Sequence, residues 1–401
     1  MSAQLAPETI QLVKATVPAL RQHGLAITQK MYEHLFKNEE IRDLFNQSHQ
    51  GANGSQPKAL AQAILAYAEN IENLGALALA VERIAQKHAG LNILPEHYPF
   101  VANALLQAIS DILGDAASDD ILKAWGEAYW FLANILIGRE AEIYRETATV
   151  PGGWAGWRPF VIEKVEPESS VICSFYLRPQ DGGAVISHKP GQYLTVLLQG
   201  DGLPPLKRNY TISCAPNGRY YRITVKREGR ASTWLHEHAA AGTVLEVSPP
   251  AGDFHLDVGQ SEPIVLVSGG VGLTPMVSML ETVAEKRPDL PTWYVHGALN
   301  GAVHAMGSHV RGLAQRSPNI DVKVFYADAT SAVGEAGGCD EEGLISADWL
   351  HRNTPSDRAT YFLCGPKPFL RDIAVGLRDA GVSPDRIRYE FFGPADDLLA
   401  A

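Results

Sequence analysis

The sequence predicts a multidomain chain with an all-α module, then an antiparallel β-barrel, then an α/β module built on a parallel sheet. Three observations predict it. Apolar residues recur at helical spacing up to about residue 150. Short strand-like runs separated by Gly- and Pro-rich turns follow. From Pro263 onward, strand-like and helical runs alternate, the pattern of a parallel sheet. The boundaries are placed at 1–148, 149–260 and 261–401.

In the first module the helical stretches include Ala59 to Leu74, Leu77 to His88, Tyr98 to Leu113 and Ile121 to Ile143. Val150-Pro-Gly-Gly-Trp-Ala-Gly-Trp157 is a breaker cluster that marks a boundary, and its two tryptophans predict a linker docked on a surface. The barrel strands are Arg158 to Val165, Val171 to Arg178, Tyr193 to Leu198, Tyr221 to Lys226 and Val244 to Ser248. The α/β module opens with the buried-strand run Pro263 to Ser268, a Gly-rich turn and a helix from Thr274 to Lys286. Strands at Thr292 to His296, Val322 to Tyr326 and Thr360 to Leu363 follow, with a helix from Pro368 to Ala380.

The 401 residues are 46% hydrophobic and 20% charged, an ordinary globular composition, with a formal net charge of −11. Such an acidic balance argues against nucleic acid or anionic lipid as primary partners. Met1 to Pro18 lacks the pattern of a secretory signal, and the longest apolar stretches, such as Tyr129 to Ile137, are too short to span a bilayer. Cys173, Cys214, Cys339 and Cys364 form no CxxC pair. A cytoplasmic location, no integral membrane segment and a monomer are expected; partners are small molecules.

In the first module His88 shares a helix face with Val81, Ile84 and Ala85. On periodicity alone this imidazole is either a metal ligand or a core histidine with a hydrogen-bond partner. Tyr98 follows shortly after the Leu94-Pro95 turn, and Glu140 lies on a helix able to return beside His88. A metal-bound imidazole needs an acceptor for its other N–H, and a carboxylate there makes it more electron-rich.

Tyr32 in Met-Tyr-Glu-His-Leu-Phe36, Leu44-Phe-Asn46, Gln56, Leu60, Ala85-Gln-Lys-His88, Pro95-Glu-His-Tyr98 and Arg139-Glu-Ala-Glu-Ile-Tyr144 together resemble the globin domain of flavohaemoglobins, from about Leu12 to Tyr144. The resemblance implies haem b, with His88 as the proximal iron ligand and Tyr98 and Glu140 as a relay behind it. It implies Tyr32 and Gln56 as hydrogen-bond donors to the O2 ligand, Phe45 and Leu60 as pocket walls, and Lys87 as a residue that tunes the haem potential. The Gly51-Ala-Asn-Gly-Ser55 stretch before Gln56 departs from the family pattern.

In the barrel, Arg208-Asn-Tyr-Thr211 follows Gly191-Gln-Tyr193. Arg-x-Tyr on a strand points alternate side chains the same way, so both can meet one ligand; a surface strand with an exposed Arg would read the same. With Lys226-Arg-Glu-Gly229 and Ser232, the set resembles the ferredoxin reductase-like flavin domain. That implies FAD held by Tyr193, Arg208, Asn209, Tyr210, Thr211 and Ser232. Thr211 stands where the family usually has Ser.

In the third module, Ser268-Gly-Gly-Val-Gly-Leu-Thr-Pro275 follows an apolar strand and opens a helix. Glycines let the backbone approach a pyrophosphate, and the helix N-terminus offers unpaired N–H groups. A NADH or NADPH site is expected at Gly270, Val271, Gly272, Leu273, Thr274 and Pro275. Phe362-Leu-Cys-Gly-Pro366 resembles the reductase family's nicotinamide-side motif, which adds Cys364, Gly365 and Pro366; Leu370 replaces a common Met. The C-terminal Tyr389-Glu-Phe-Phe-Gly-Pro394 adds Glu390, Phe391, Phe392, Gly393 and Pro394 to the flavin site. By resemblance, Phe392 covers the flavin ring and Glu390 tunes electron flow from flavin to haem. Gly297-Ala-Leu-Asn300, after the second strand, carries no basic residue for a 2′-phosphate, which leans towards NADH.

The three resemblances in this order imply a nitric oxide dioxygenase. NAD(P)H reduces FAD, FAD reduces haem iron, and O2 and NO become nitrate. A haem-based oxygen or lipid sensor and a general NADH-dependent haem, ferric or quinone reductase are the other readings. NO-dependent NADH turnover separates them.

Overall fold

The computed structural model describes residues 5–45, 55–200, 203–328 and 338–393. The chain falls into two compact units, one built on the helices up to Thr149 and the other on Val150–Leu198 with Arg208–Gly393.

The helical unit comprises α1 (Pro7–Ala15), α2 (Val17–Leu35), α3 (Glu39–Arg42), α4 (Ser55–Glu69), α5 (Ala78–Gly90), α6 (Tyr98–Leu113) and α7 (Asp119–Thr149). Its main core gathers Ile27, Met31, Tyr32, Tyr67, Ala108 and Trp125, drawn from α2, α4, α6 and α7. A smaller cluster sets Ala85 and Ala89 of α5 against Tyr98 of α6 and Ala133, Leu136 and Ile143 of α7. The α6 bounds are those expected from periodicity. The Ala59 to Leu74 run ends early, at Glu69, because Asn70 bonds its side chain back to the Ala66 carbonyl and a 3-10 turn over Leu74–Leu77 follows.

The second unit begins with a docked linker, as the two tryptophans predict for one of them. Trp154 donates Nε1–H to the Val247 carbonyl at 3.1 Å and packs on Phe160 and Tyr221. Strands β1 (Arg158–Pro167), β2 (Ile172–Pro179), β3 (Tyr193–Gly200), β4 (Leu203–Thr211), β5 (Tyr221–Lys226) and β6 (Val244–Val247) form one sheet in the order β4-β3-β6-β1-β2-β5. The Ile212 to Ile223 bridge joins the end of β4 to β5 and closes the sheet on itself. Helix α8 (Arg230–His238) follows β5; periodicity did not predict it, because its residues are mostly polar.

The α/β part holds β7 (Ile264–Gly269), α9 (Leu273–Lys286), β8 (Thr292–Ala298), α10 (Gly307–Arg316), β9 (Ile320–Tyr326), β10 (Glu341–Glu342), α11 (Ala347–Asn353), β11 (Thr360–Cys364), α12 (Lys367–Asp379) and β12 (Ile387–Glu390). The sheet order is β10-β9-β8-β7-β11-β12, and its pairs are parallel. From β7 the chain runs one way through β8 and β9, then returns to β11 on the other side. The crevice between the C-terminal ends of β7 and β11 is therefore a topological switch point, where open α/β sheets bind ligands. Among the described residues no helix is long and apolar enough to cross a membrane.

Two buried histidines in this unit predict a pH dependence of stability. Burial pushes the His188 imidazole down to about 4 and that of His304 down to about 4. An unfolded histidine takes up its proton near pH 6.5. Between roughly pH 6.5 and 4 the unfolded chain binds more protons than the folded one, so stability falls as pH falls through that window. The expected slope is on the order of 1 kcal/mol per pH unit for each imidazole. Urea titrations at pH 7, 6 and 5 should show a falling midpoint for this unit, and His188→Gln should flatten the trend. A midpoint that does not move, or a trend untouched by the substitution, would contradict it.

Candidate functional site

Within the helical unit, the site is built where α5, α6 and α7 meet. His88 sits in the last turn of α5, Tyr98 opens α6, and Glu140 lies on the buried side of α7. His88 Nδ1 is 2.7 Å from Glu140 Oε1 and 3.1 Å from the Tyr98 hydroxyl, which donates to the same Oε1 at 2.6 Å. Glu140 is only 2% exposed. The neighbouring Arg139 guanidinium makes two bonds to Glu82 of α5, at 2.7 and 3.1 Å, which ties the two helices together one residue from Glu140. Burial, then the hydrogen bond to Glu140, pushes the Tyr98 phenol upward, so it stays a donor at neutral pH.

The consequence is an imidazole fixed in orientation and tautomer. With Nδ1–H given to a carboxylate, Nε2 carries the lone pair, and the side chain is still 32% exposed. This is a donor set suited to haem iron: one imidazole nitrogen, accessible, with the carboxylate on the other. Tyr32, Phe36 and Phe45 form a mutual ring cluster with centroids 5.3 to 5.6 Å apart. Leu60 packs into the same core. Thr28, one turn before Tyr32, donates to the Pro57 carbonyl at 2.9 Å and so brings the first turn of α4, with Gln56, beside the Tyr32 turn of α2. Tyr129 and Leu132 pack against both this core and the His88 cluster. Lys87 is half-buried next to His88. Asn46 and Gly51 to Gly54 lie outside the described residues.

In the second unit, the residues expected around a flavin come together on β3 and β4. Tyr193 pairs with Ala251 through two 2.9 Å backbone bonds. Thr195 Oγ1 donates to Asn209 Oδ1 at 3.0 Å, which joins the Tyr193 strand to Arg208-Asn-Tyr-Thr211. Gly252 has φ +115, and a Cβ there would stand 3.0 Å from the Tyr193 ring, so glycine leaves room for that ring. The Tyr193 hydroxyl is buried and has no partner among the described residues. Burial, and then Glu390 and Asp253, push its phenol upward. Burial pulls the Arg208 guanidinium below its usual range, so an anion beside it would be favoured. An unsatisfied phenol, a partly desolvated guanidinium and the half-buried Tyr210 suit a flavin dinucleotide.

Ser232 lies in the first turn of α8. Its hydroxyl accepts from the Glu228 N–H and donates to the Glu228 and Gly229 carbonyls, so it is engaged in the turn that opens α8. Phe391 packs against the β11–β12 side of the core, whereas Phe392 is 47% exposed. Gly393 closes a turn to the Phe391 carbonyl at 2.8 Å. Pro394 lies outside the described residues.

At the switch point, Gly270-Val-Gly272 forms a 3-10 turn between β7 and α9. Thr274 turns its hydroxyl back to the Val271 carbonyl at 3.1 Å, while Leu273 and Pro275 are buried in the first turn of α9. A Cβ on Gly272 would stand 2.2 Å from the Cys364 carbonyl oxygen and 2.8 Å from the Gly365 nitrogen. The turn and the Cys364-Gly365-Pro366 strand end therefore touch backbone to backbone. Cys364 pairs with Glu390 across β11 and β12, and burial, reinforced by Glu390, pushes its thiol well up. It is a neutral thiol, not a thiolate. A glycine turn at a helix N-terminus over a switch point suits a dinucleotide pyrophosphate.

Residues 29–136 match the family described as Globin, and residues 266–374 match the oxidoreductase NAD-binding domain. The chain is 53% identical over 403 residues to a protein named Flavohemoprotein from Xylella fastidiosa (strain 9a5c), with 100% of both chains covered. It is 43% identical over 407 residues to a Flavohemoprotein from Rhodopirellula baltica, covering 99% of this chain and 100% of the relative. Among solved structures it is similar to a flavohemoglobin from Malassezia yamatoensis with bound FAD and heme, at TM-score 0.85 and 26% identity, over 98% of this chain and 100% of the other. It is also similar to the FAD/NAD-binding domain of a nitric oxide dioxygenase from Vibrio cholerae, at TM-score 0.54 and 33% identity, over 59% of this chain and 99% of that one.

Proposed function

This chain belongs to the flavohaemoprotein family, and from that premise we propose that it is an NAD(P)H-dependent nitric oxide dioxygenase that uses haem b and FAD. The modules are 1–148 for haem, 149–260 for FAD and 261–401 for the nicotinamide nucleotide. The observation that carries the reading is the His88 imidazole, held on one side by Glu140 and Tyr98 with its other nitrogen open.

Electron balance explains why the modules belong on one chain. Converting one NO and one O2 to nitrate consumes one electron, whereas a nicotinamide delivers two as hydride. FAD held on the Tyr193 and Arg208–Thr211 strands would turn the pair into single electrons, and haem iron held by His88 would supply the activation of O2 towards NO. Two NO and two O2 thus become two nitrates for each NAD(P)H oxidised.

The protein's own residues do the rest. Glu140 holds the Nδ1 proton of His88 and, with Tyr98, fixes the ring plane. A more basic imidazole favours oxygen activation over simple storage. Tyr32 and Gln56 would serve as hydrogen-bond donors to O2, with Phe45 and Leu60 as apolar walls that exclude water, and Lys87, next in sequence to His88, would tune the haem potential. Tyr193, Arg208, Asn209, Tyr210, Thr211 and Ser232 hold the flavin. By the family pattern Glu390, Phe391, Phe392, Gly393 and Pro394 are assigned to the same flavin site. Gly270, Val271, Gly272, Leu273, Thr274 and Pro275 seat the nucleotide pyrophosphate, and Cys364, Gly365 and Pro366 line the nicotinamide side. Glu390 pairs with Cys364 across β11 and β12 and pushes both the Tyr193 phenol and the Cys364 thiol upward, which suits it to tune the flavin.

The test is NO-dependent NADH oxidation under air, with nitrate measured as product. A turnover that rises with NO and yields two nitrates per NADH supports the reading. NADH oxidation that NO leaves unchanged would leave a general reductase instead.

A further inference from the structure

Between the barrel and the α/β sheet of the second unit, one buried carboxylate gathers three partners. Glu281 lies on α9, two turns beyond the nucleotide turn, and is 8% exposed. Its Oε2 accepts from the Ala215 N–H at 2.7 Å, and its Oε1 accepts from Arg222 Nη2 at 2.7 Å. His309 Nε2, on α10, is 2.7 Å from the same Oε1. Burial opposes its ionisation, yet His309, Arg222 and the Ala215 N–H together hold the carboxyl below its usual range. Arg222 is 5% exposed; it donates Nε to Ser213 Oγ at 3.1 Å and Nη2 to the Ser213 carbonyl. One turn earlier on α9, Ser278 donates to the Cys214 carbonyl at 2.8 Å.

These partners are specific in place. Ser213, Cys214 and Ala215 directly continue the strand that carries Arg208 to Thr211, the flavin-binding segment. Helix α9 is buried from Leu273 to Val283 and opens at Gly270–Gly272, the nucleotide-binding turn. A buried helix is a rigid rod with a rise of about 1.5 Å per residue. A displacement at Glu281 is thus passed to the turn that seats the nucleotide. A buried ion pair is weak grounds for a role in stability, since apolar replacements of similar shape often do as well.

We propose that Glu281 is a positioning residue for hydride transfer, which ties the end of the flavin strand, at Ser213–Ala215 and Arg222, to the helix that seats the nicotinamide nucleotide. This rests on the proposed function. Neither group need bind Glu281. It acts through Ala215 and Arg222 on one side and through α9 on the other, and so sets the distance and angle between donor carbon and flavin.

The test uses the full chain loaded with FAD, with NADH as the probe, under anaerobic conditions. Glu281→Asp keeps the charge but draws the carboxylate back by one methylene. The limiting rate of flavin reduction should fall by roughly tenfold or more, since small misplacements are amplified in such steps. The NADH dissociation constant should stay within about twofold, the pattern of a lost transition-state geometry. The long-wavelength charge-transfer band of reduced flavin with NAD+ should weaken, and amide exchange at Ala215 should quicken. Quickened exchange at Ala215 with a parental rate and band would overturn the proposal and leave only a structural contact. If Glu281→Asp fails to retain FAD, the double variant Glu281→Gln with Arg222→Met, which leaves no lone buried charge, is judged by the same criteria. Loss of FAD from both variants contradicts a role confined to positioning. A parent chain whose flavin NADH does not reduce contradicts the proposed function itself, and so is told apart from failure of this inference.

Discussion

Replacing His88 with alanine will abolish haem binding and NO consumption while leaving NADH oxidation with artificial electron acceptors at the parental rate. The asymmetry follows from the two units. His88 is the open imidazole of the helical unit, and Glu140 and Tyr98 already occupy its other nitrogen. No protein atom described near it offers a replacement of the same kind: Glu140 is 2% exposed, and the Tyr98 hydroxyl is committed to that carboxylate. The flavin and nucleotide residues belong to other elements, β3, β4, the β7–α9 turn and the end of β11. The substitution also takes one partner from a buried carboxylate, which costs about 1–3 kcal/mol of stability in the helical unit. Haem content, a Soret band and NO uptake are measured together with ferricyanide reduction. A His88→Ala chain that binds haem and consumes NO normally would remove His88 from its assigned place.

Gly272→Ala will all but eliminate reduction of the flavin by NADH. Its backbone torsions are ordinary, with φ −60 and ψ −6, so conformational freedom is not the reason for glycine here. The reason is space. The added methyl would lie 2.2 Å from the Cys364 oxygen, 2.5 Å from its carbon and 2.8 Å from the Gly365 nitrogen. All three are backbone atoms, so no side chain can swing aside. Either the glycine turn or the end of β11 must shift, and both border the nicotinamide site. Overpacking of this kind costs about 1–3 kcal/mol. A shift of about an ångström at a reacting centre can lower a rate by about a hundredfold. Chemical reduction of the flavin by dithionite, which needs no nucleotide, should be unaffected, as should haem content. NADH-driven reduction at the parental rate would mean that the turn is only a structural bend.

Much of this arrangement is legible in the sequence because it rests on local patterns. The buried run Ile264 to Ser268 followed by glycines and an apolar helix marks the first β-α unit of a nucleotide fold, and the structure places Gly272 where only a hydrogen fits. The α6 bounds come from simple helical periodicity. His88, Tyr98 and Glu140 were legible only as a set, since Glu140 lies 52 residues from His88 and each alone reads as an ordinary core or surface residue.

Other features depend on contacts that no local pattern encodes. The only local signals for Glu281 are a carboxylate inside the apolar run Leu273 to Val283 and an arginine inside Tyr-Arg-Ile-Thr-Val225. Only the fold shows that these two charges, 59 residues apart, are partners. Helix α8 escaped for the opposite reason: its few apolar residues, Ala231, Trp234 and Leu235, are too sparse to outweigh its polar ones. The bonds of the Ser232 hydroxyl to the turn at the start of α8 depend on that same helix and are equally hidden from periodicity.

The most direct measurement is the absorption spectrum of the full chain supplied with haem and FAD, recorded before and after NADH, first without oxygen and then with O2 and NO. NADH will bleach the flavin bands and shift the Soret band to the ferrous position, and O2 with NO will return the spectrum to the ferric form as nitrate appears. Flavin that bleaches while the haem stays ferric, or a ferrous spectrum that O2 with NO leaves unaltered, would contradict it.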